Sequence, residues 1–158
     1  MRTCVPLLLA STGLLAACVE PLGTTPCVPV PFAQASVTGD TIATTTGLRY
    51  LNNAVGTGDT VRWCRTLTVH YTGYLLDGTK FDSSRDIDRP LVFTPGLGGL
   101  IEGFEQGVIG MRSGGVRRLI IPPALGYGSE PLRDNTGTII VPGNSTVVFD
   151  VEILSIGT

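Results

Sequence analysis

Two long stretches of the chain alternate apolar and polar residues with a period of two. In TLTVHYTGYL, at 66–75, Leu67, Val69 and Tyr71 fall on one face of the stretch. The stretch TVVFDVEIL, at 146–154, alternates in the same way. Its inward positions are Val147, Phe149, Val151 and Ile153. Since side chains two residues apart share a face of a strand, both stretches are predicted to be half-buried strands.

Turn and breaker residues divide the rest of the chain into shorter strands. Asp77-Gly78 directly follows the first long stretch, and this dipeptide is typical of a tight hairpin because both residues accept positive φ. Short strands are predicted in GLRYL at 47–51, in RPLVF at 89–93, and through Leu119 and Ile121 before two prolines.

One segment follows a helical period instead. In GGLIEGFEQGVIGM the apolar residues fall at 101, 104, 108 and 111, which is the spacing of a single helix face. Three glycines within it, Gly103, Gly107 and Gly110, make it a poor helix alone, so packing must hold it. The sequence therefore predicts an α+β domain over 47–158, with an antiparallel sheet of about five strands wrapped around one short helix.

The N-terminus is predicted to be an export signal over residues 1–17. Its apolar run, from Val5 to Ala17, is shorter than the roughly 20 residues that cross a bilayer. It ends in Leu15-Ala16-Ala17-Cys18, which resembles the bacterial lipobox, so Cys18 is expected to carry a lipid anchor. The alternatives are a buried helix or a signal with ordinary cleavage.

The lipobox resemblance implies an extracytoplasmic protein anchored to a bacterial membrane. Since Val19 rather than an acid follows Cys18, it implies an outer-membrane location facing the periplasm in a cell with two membranes. Residues 18–46 are proline-rich and polar, and are predicted to be an extended tether.

The number of cysteines in the chain suggests one disulfide bridge. After removal of Cys4 with the signal and lipidation of Cys18, Cys27 and Cys64 remain as an even pair in an oxidising compartment. They are predicted to form a disulfide between the tether and the start of the sheet, with two free thiols as the alternative.

Composition narrows the classes of function. Of 158 residues, 42% are hydrophobic and 15% charged, which favours a packed core over disorder. The formal net charge of −2 argues against nucleic acid as a partner, because phosphate binding needs a basic surface. Without residues 1–17 the chain has 10 basic and 13 acidic residues, a net charge of −3.

Enzyme chemistry based on a nucleophile, a metal or a cofactor has little support. Ser83 or Ser84 with His70 and Asp82 could form a hydrolase triad, but the G-x-S-x-G pattern is absent. The single histidine and scattered acids offer no metal-ligand spacing, and no cofactor motif is present. Taken residue by residue, the aromatic side chains are more simply interpreted as core.

The order of the motifs changes this interpretation. Over about 66–155 the chain resembles the FKBP-type peptidyl-prolyl cis-trans isomerases. The blocks that carry the resemblance are VHYTGYLLDGTKFDSS, LVF, LIEGFEQGVIGM, LIIPPALGYG and IIVPGNSTVVFDVEIL. The resemblance implies a bent antiparallel sheet around the short helix, with an aromatic pocket between them.

The family's pocket positions are carried over residue by residue. The resemblance implies catalytic roles for Tyr71, Asp82 and Tyr127. It implies substrate binding by Phe81, Leu91, Phe93, Leu100, Ile101, Phe104, Val141 and Phe149. Several positions depart from the common residue type: Leu91 replaces a Phe, Leu100 a Val, Val141 an Ile and Phe104 a Trp.

Other departures concern the polar side of the pocket and one loop. Ile87 occupies the place of an Arg that often lies near Asp82, and Arg85 or Arg89 are candidates to replace it. The loop 128–139 is longer than in compact members, and it is expected to modulate which chains enter.

The resemblance implies an activity without a cofactor. Asp82 is expected to accept a hydrogen bond from Tyr71, and Tyr127 to donate to the substrate carbonyl, while the aromatic residues hold the prolyl ring. The partners would be X–Pro segments of unfolded or exported proteins, and macrolide inhibitors of the family. The alternative is a non-catalytic FKBP-like chaperone or peptide-binding module, which Phe104 and Ile87 favour.

Overall fold

This computed structural model describes Cys27, residues 35–38 as backbone only, and residues 41–157. The predicted signal at 1–17, the predicted lipidation site Cys18 and most of the predicted tether lie outside these residues. Within them, no helix has both the length and the apolar composition that crossing a membrane requires.

Antiparallel strands dominate the described part of the chain. In chain order they are β1 (Ala35–Thr38), β2 (Thr41–Thr44), β3 (Arg49–Ala54), β4 (Leu67–Leu75), β5 (Lys80–Ser83), β6 (Leu91–Phe93), β7 (Val116–Ile121), β8 (Leu132–Arg133), β9 (Ile139–Val141) and β10 (Val147–Ile156). A short helix, α1, spans Glu102–Val108, and a 3-10 helix spans Pro123–Leu125. The predicted fold class, an antiparallel sheet with one short α-helix, is confirmed.

Most of the strands form one sheet in the order β1-β2-β3-β7-β10-β4-β5. Strand β4 has two partners beyond β10: its first half pairs with β6, and its second half pairs with β5. Strands β8 and β9 form a separate hairpin. The central strands β4, β7 and β10 therefore carry the core, and the split edge of β4 leaves room for a site.

The sheet has more strands than the predicted five, and it begins earlier. Residues 38–46, the polar end of the predicted tether, contain β2, which pairs with β3 through Ile42 opposite Tyr50. Thr44 is buried, and its hydroxyl donates to Leu48 O at 3.0 Å. Threonine is polar but β-branched, so it suits a strand when a neighbouring strand satisfies its backbone.

The predicted alternation in the two long strands is confirmed. Leu67 and Val69 on β4 are fully buried, as are Val147, Val151 and Ile153 on β10. The residues between them are partly exposed. These inward positions form one core with Leu48, Val61, Phe104, Val108, Met111, Leu119, Ile121 and Phe149.

Helix α1 packs directly on the sheet through its glycines. A Cβ added at Gly107 would lie 2.6 Å from Leu119 Cδ1, and one at Gly103 would collide with Ile121 Cγ2. The two glycines are therefore packing positions, since only a residue without a side chain allows this approach. The prediction that packing must hold this helix is confirmed.

A buried arginine ties the end of α1 to the sheet. Arg117, on β7, is 5% exposed and its Nη1 donates to Gly107 O at 2.7 Å and to Ile109 O at 3.1 Å. Its guanidinium carbon lies 4.2 Å from the ring centroid of Tyr50, and Nε donates to Asn52 Oδ1. Burial lowers the pKa of Arg117 to about 10, so the side chain remains a cation at neutral pH.

The predicted pairing of Cys27 with Cys64 is present as a disulfide. Their Cα atoms lie 5.7 Å apart, and the bridge links positions 37 residues apart in the chain. The backbone N–H of Cys64 donates to Pro95 O at 3.0 Å. The bridge therefore holds Cys27 beside the segment that leads from β6 to α1.

Candidate active site

Tyr71 and Asp82 meet across the β4–β5 hairpin. The predicted Asp77-Gly78 turn reverses the chain, with Leu75 N donating to Thr79 O. Because Gly73 lies opposite Asp82 in this register, Tyr71 and Asp82 are diagonal neighbours on adjacent strands. The Tyr71 hydroxyl donates to Asp82 Oδ2 at 2.6 Å, as the resemblance implied.

This pair lies at the rim of a cavity of about 400 Å³. The cavity is lined by Tyr71, Asp82, Leu91, Gly98, Gly99, Leu100, Ile101, Phe104, Tyr127 and Phe149. Its walls come from β4 and β10 on one side, and from the start of α1 with the residues before it on the other. Its volume and largely apolar lining suit a small ring or side chain rather than a large polar ligand.

Phe104, on α1, forms the aromatic centre of the cavity. The side chain is 3% exposed, and its ring centroid lies 5.3 Å from Phe149, 5.6 Å from Phe93 and 6.0 Å from Tyr71. The rings of Phe149, Phe93 and Tyr71 meet Phe104 edge to face, the arrangement that aromatic quadrupoles favour. Each ring therefore restricts its neighbour, and the cavity is preformed.

Gly73 makes the aromatic wall possible, and its role was not predicted. A Cβ at this position would lie 2.7 Å from Phe81 Cζ and 2.8 Å from Phe149 Cε1. These two rings are 5.6 Å apart and nearly perpendicular, so they meet over the bare backbone of β4. A glycine inside an otherwise alternating strand was the available sequence signal for close approach.

Glu105 holds the loop that closes the cavity, and it too was not predicted. Its carboxylate accepts from Gly96 N at 2.9 Å and from Leu100 N at 3.2 Å, and the side chain is 6% exposed. The loop between them contributes Gly98 and Gly99 to the lining. An acid within the apolar helical pattern was the signal that pointed to such a partner.

The two tyrosines of the site are neutral hydrogen-bond donors. Burial raises the pKa of Tyr71 well above its usual value, and the hydrogen bond and charge of Asp82 raise it further. Burial, followed by the charge of Asp82, also raises the pKa of Tyr127. Among the described residues, nothing bonds to the Tyr127 hydroxyl, so it is available to a ligand.

The structure brings most of the predicted site residues together. Eight of them line the cavity: Tyr71, Asp82, Leu91, Leu100, Ile101, Phe104, Tyr127 and Phe149. Phe81 and Phe93 pack behind them, with Phe81 edge to face on Tyr127 at 6.3 Å. Val141 is fully buried on β9 and lies in the core rather than in the lining.

Neither candidate arginine replaces the missing polar partner of Asp82. Arg85 forms an ion pair with Glu152 instead. Arg89 lines a neighbouring groove with Asp82 and Leu91, but in the described part of the chain it forms no ion pair. Asp82 thus relies on the Tyr71 hydroxyl. The long loop at 128–139 contains β8, which pairs with β9 rather than entering the cavity.

The alternative triad is incomplete, because Asp82 bonds to the Tyr71 hydroxyl and no hydrogen bond joins it to His70 in the described part of the chain. His70 Nδ1 lies 2.9 Å from Ser84 Oγ, and this oxygen also accepts from Tyr71 N. The Ser83 hydroxyl is within 2.9 Å of Thr72 Oγ1. Neither His70 nor these serines line the aromatic cavity. Across the described ranges, no three His, Cys, Asp or Glu side chains are grouped to hold a metal ion.

Comparison with known proteins matches this site to one family. Residues 56–154 match the family model described as FKBP-type peptidyl-prolyl cis-trans isomerase. FK506-binding protein 2 of Dictyostelium discoideum is 51% identical over 90 residues, which are 57% of this chain and 64% of that protein. An FK506-binding protein of Neisseria meningitidis serogroup C is 47% identical over 92 residues, 58% of this chain and 80% of the relative.

Solved structures agree with the sequence matches. FkpA from Escherichia coli superposes with a TM-score of 0.65 at 36% identity, covering 76% of this chain and 53% of FkpA. AtFKBP13 gives a TM-score of 0.66 at 34% identity, covering 72% of this chain and 95% of that one. Some relatives are longer: this chain covers 64% of the Dictyostelium protein and 41% of FK506-binding protein 2B of Rhizopus delemar.

Proposed function

This chain belongs to the family of FKBP-type peptidyl-prolyl cis-trans isomerases, and we propose that it accelerates rotation about X–Pro peptide bonds in its aromatic cavity. The observation that carries the proposal is the cluster of aromatic side chains packed edge to face around Phe104, with the neutral donor Tyr127 and the bonded Tyr71–Asp82 pair at the rim of the cavity.

The reaction requires neither a nucleophile nor a metal. A peptide bond resists rotation because resonance gives it partial double-bond character, with a barrier of about 18–20 kcal/mol. X–Pro bonds therefore interconvert in tens of seconds. The planar amide is the more dipolar and better solvated form, so a site that removes water disfavours it relative to the twisted form.

The roles of the side chains follow from their positions. The prolyl ring would occupy the cavity over Phe104, against Ile101 and Phe149. The Tyr127 hydroxyl would donate to a carbonyl of the bound peptide. Asp82, already bonded to Tyr71, would supply a polar wall beside the twisting amide. Such pre-oriented groups act without reorganising during the reaction.

The required effect is modest. Raising a rate constant from about 10⁻² to about 10² s⁻¹ lowers the barrier by roughly 5–6 kcal/mol. Enzymes that form covalent bonds supply considerably more. Exclusion of water together with one or two hydrogen bonds is sufficient for a change of this size.

A proline-limited assay tests the proposal. The cis-to-trans rate constant of an X–Pro peptide should rise in proportion to the concentration of the protein. Phe149→Ala removes a cavity wall and should abolish most of this effect. Val151→Ala is the matched control, because Val151 is an inward position of the same strand that does not line the cavity. If both folded variants keep full activity, the cavity is not the active site.

The substrates and inhibitors are proposed from the same cavity. X–Pro segments of unfolded chains present the ring that the cavity fits, and relatives named FK506-binding proteins indicate a macrolide class of inhibitor. FK506 should therefore compete with peptide for the site. An isomerase activity that saturating FK506 leaves unchanged would argue against a shared site.

Export and lipidation form the second part of the proposal. The lipobox-like Leu15-Ala16-Ala17-Cys18 supports an extracytoplasmic protein anchored through Cys18, with the outer membrane as its location in a two-membrane cell. The Cys27–Cys64 disulfide is consistent with an oxidising compartment. Incorporation of labelled fatty acid in the wild type, and its loss in Cys18→Ser, is the expected result.

A binding module without catalysis is the second candidate. It is favoured by Ile87, which is 71% exposed, and by the engagement of Arg85 with Glu152, which leaves Asp82 without a cationic partner among the described residues. Binding of X–Pro peptide without acceleration of its isomerisation would support this function and overturn the enzymatic one.

A further inference from the structure

A second concave site lies on a different part of the surface and is strongly basic. It has a volume of about 320 Å³. Its lining consists of Gly58, Asp59, Thr60, Arg62, Arg65 and Arg112, which we call the arginine pocket. Three guanidinium groups and one carboxylate make it cationic, although the chain as a whole carries a net negative charge.

Two of the three guanidinium groups are held in position by backbone carbonyls. Arg65 Nε donates to Gly157 O at 2.7 Å, and Arg112 Nη1 donates to Gly58 O at 3.2 Å. Each guanidinium has five N–H donors, so most donors of both groups remain available. Arg62 is exposed, and within the described ranges none of the three arginines forms an ion pair. The pocket therefore presents oriented, uncommitted donors.

The arginine pocket lies next to the point where the disulfide holds the N-terminal segment. Arg62 and Arg65 are two residues before and one residue after Cys64, whose partner is Cys27. Cys27 lies nine positions after Cys18, a span of at most about 30 Å for an extended chain. A lipid on Cys18 would keep this face of the domain close to the bilayer surface.

Along strand β10, the arginine pocket and the aromatic cavity are held at different positions. Gly157, which accepts from Arg65, immediately follows β10, whereas the cavity residue Phe149 lies eight residues earlier on that strand. At about 3.3 Å per residue, eight residues of strand extend roughly 26 Å. The arginine pocket and the aromatic cavity therefore lie toward opposite ends of β10.

We propose that the arginine pocket binds the phosphate groups of anionic membrane lipids and orients the anchored domain with its aromatic cavity toward the aqueous side. This inference rests on the proposed lipid anchor. The guanidinium fork matches phosphate geometry, and anionic lipids give the bilayer surface a net negative charge that attracts basic side chains. Because the chain as a whole carries a net negative charge, the arginine pocket can attract an anionic surface only at short range. Binding to the vesicles should therefore weaken as the salt concentration rises.

Vesicle binding of the full chain carrying Cys18→Ser tests the proposal without the anchor. The probes are vesicles of phosphatidylcholine, with and without phosphatidylglycerol. The measured quantity is the partition coefficient on vesicles that contain phosphatidylglycerol, divided by the partition coefficient on vesicles of phosphatidylcholine alone. Every variant carries the same N-terminal apolar segment, so its contribution cancels when the ratios of two variants are compared. Arg62→Gln and Arg112→Gln should each lower the ratio by about fivefold, the effect of one basic side chain near an anionic surface.

Arg133→Gln is the matched control, since Arg133 is an exposed arginine that donates to one backbone carbonyl, Gly137 O, outside the pocket. It should leave the ratio nearly unchanged. Equal losses in Arg133→Gln and Arg62→Gln, or no preference of the parent chain for phosphatidylglycerol, overturn the proposal. Direct binding of inorganic phosphate to the pocket, without binding of the vesicles, would assign the pocket to a soluble anion and would also overturn the proposal. Unchanged isomerase activity of Arg62→Gln separates this result from the catalytic proposal.

Discussion

The Tyr71 hydroxyl lies 2.6 Å from Asp82 Oδ2, and this bond joins strands β4 and β5 at the rim of the aromatic cavity. The same Tyr71 ring contacts Phe104 and Phe149, each at a centroid distance of 6.0 Å. One side chain therefore belongs both to the apolar wall and to the polar rim. The Asp82 carboxylate accepts its hydrogen bond from Tyr71 rather than from Arg85, because Arg85 is paired with Glu152.

Tyr71→Phe should lower kcat/KM while leaving the fold intact. The substitution keeps the ring but removes a hydrogen bond to a carboxylate, and we expect a loss of about 1–2 kcal/mol, or roughly five- to thirtyfold. Tyr74→Phe is the control, because Tyr74 lies on the same strand but lines another groove, with Leu76 and Arg118. Equal activity in the two purified variants would exclude a catalytic contribution of the Tyr71–Asp82 bond.

Gly73→Ala should damage both stability and activity. The new methyl group would press on Phe81 and Phe149, and overpacking of this kind costs about 1–3 kcal/mol. Denaturant unfolding and the X–Pro assay measure the two effects. Gly99→Ala serves for comparison, since Gly99 also lines the cavity but a Cβ there meets nothing within 4 Å. Equal stability and equal activity in Gly73→Ala and Gly99→Ala would contradict the packing role assigned to Gly73.

Removal of the Cys27–Cys64 bridge should destabilise the domain. Opening a loop of 37 residues restores freedom to the unfolded chain, worth about 4 kcal/mol in the chain-entropy model. Cys64→Ser should lower the free energy of unfolding by this amount, and Cys27→Ser/Cys64→Ser should cause no further loss. Mass spectrometry after alkylation without reductant should find both thiols protected. Alkylation of both in the folded protein would contradict the bridge.

Arg117→Met should be far more destabilising than Arg118→Met, although the two positions are adjacent. The first leaves the acceptors on Gly107, Ile109 and Asn52 without their donor, and we expect a cost of about 2–4 kcal/mol. The second removes an exposed ion pair with Asp150, worth about 0–1 kcal/mol. Thermal unfolding with calorimetry compares them directly, and similar losses would refute the role assigned to Arg117.

The pH profile tests the mechanism. The raised pKa values of Tyr71 and Tyr127 keep both phenols protonated at neutral pH, and the proposed reaction transfers no proton. We expect kcat/KM to be nearly flat from about pH 5.5 to 8.5, whereas general acid-base catalysis gives a sloped or bell-shaped profile. His70→Gln should keep most activity, since His70 does not line the cavity. A steep change that disappears in His70→Gln would contradict this mechanism.

The same shifts set the sign of the alkaline stability change. Both tyrosines have a folded-state pKa above the usual 10.0, so the native state holds these protons more tightly than the unfolded state does. Their contribution is complete below about pH 10 and is lost as the pH rises through the folded values. The free energy of unfolding should therefore fall above about pH 10, and less steeply in Tyr71→Phe. An equally steep fall in that variant would show that Tyr71 is not responsible.

Features that depend on neighbouring residues could be predicted from the sequence. The alternation in β4 and β10, the Asp77-Gly78 turn and the apolar spacing of α1 all appear in the structure, because strand, turn and helix periods are local. The resemblance in motif order also identified most of the cavity lining, since residues carried on predicted elements keep their faces.

Contacts between distant residues were decided only by the tertiary structure. A polar stretch became β2 because β3 lies beside it to satisfy its backbone. Val141 is buried in the core, and Arg85 forms an ion pair with Glu152, which lies 67 positions away in the chain. Position 73 has no room for a side chain, because the rings of Phe81 and Phe149 meet over the backbone of Gly73. Each of these outcomes depends on which surfaces pack together in the folded chain. A hydrophobic period within one element carries no information about that packing.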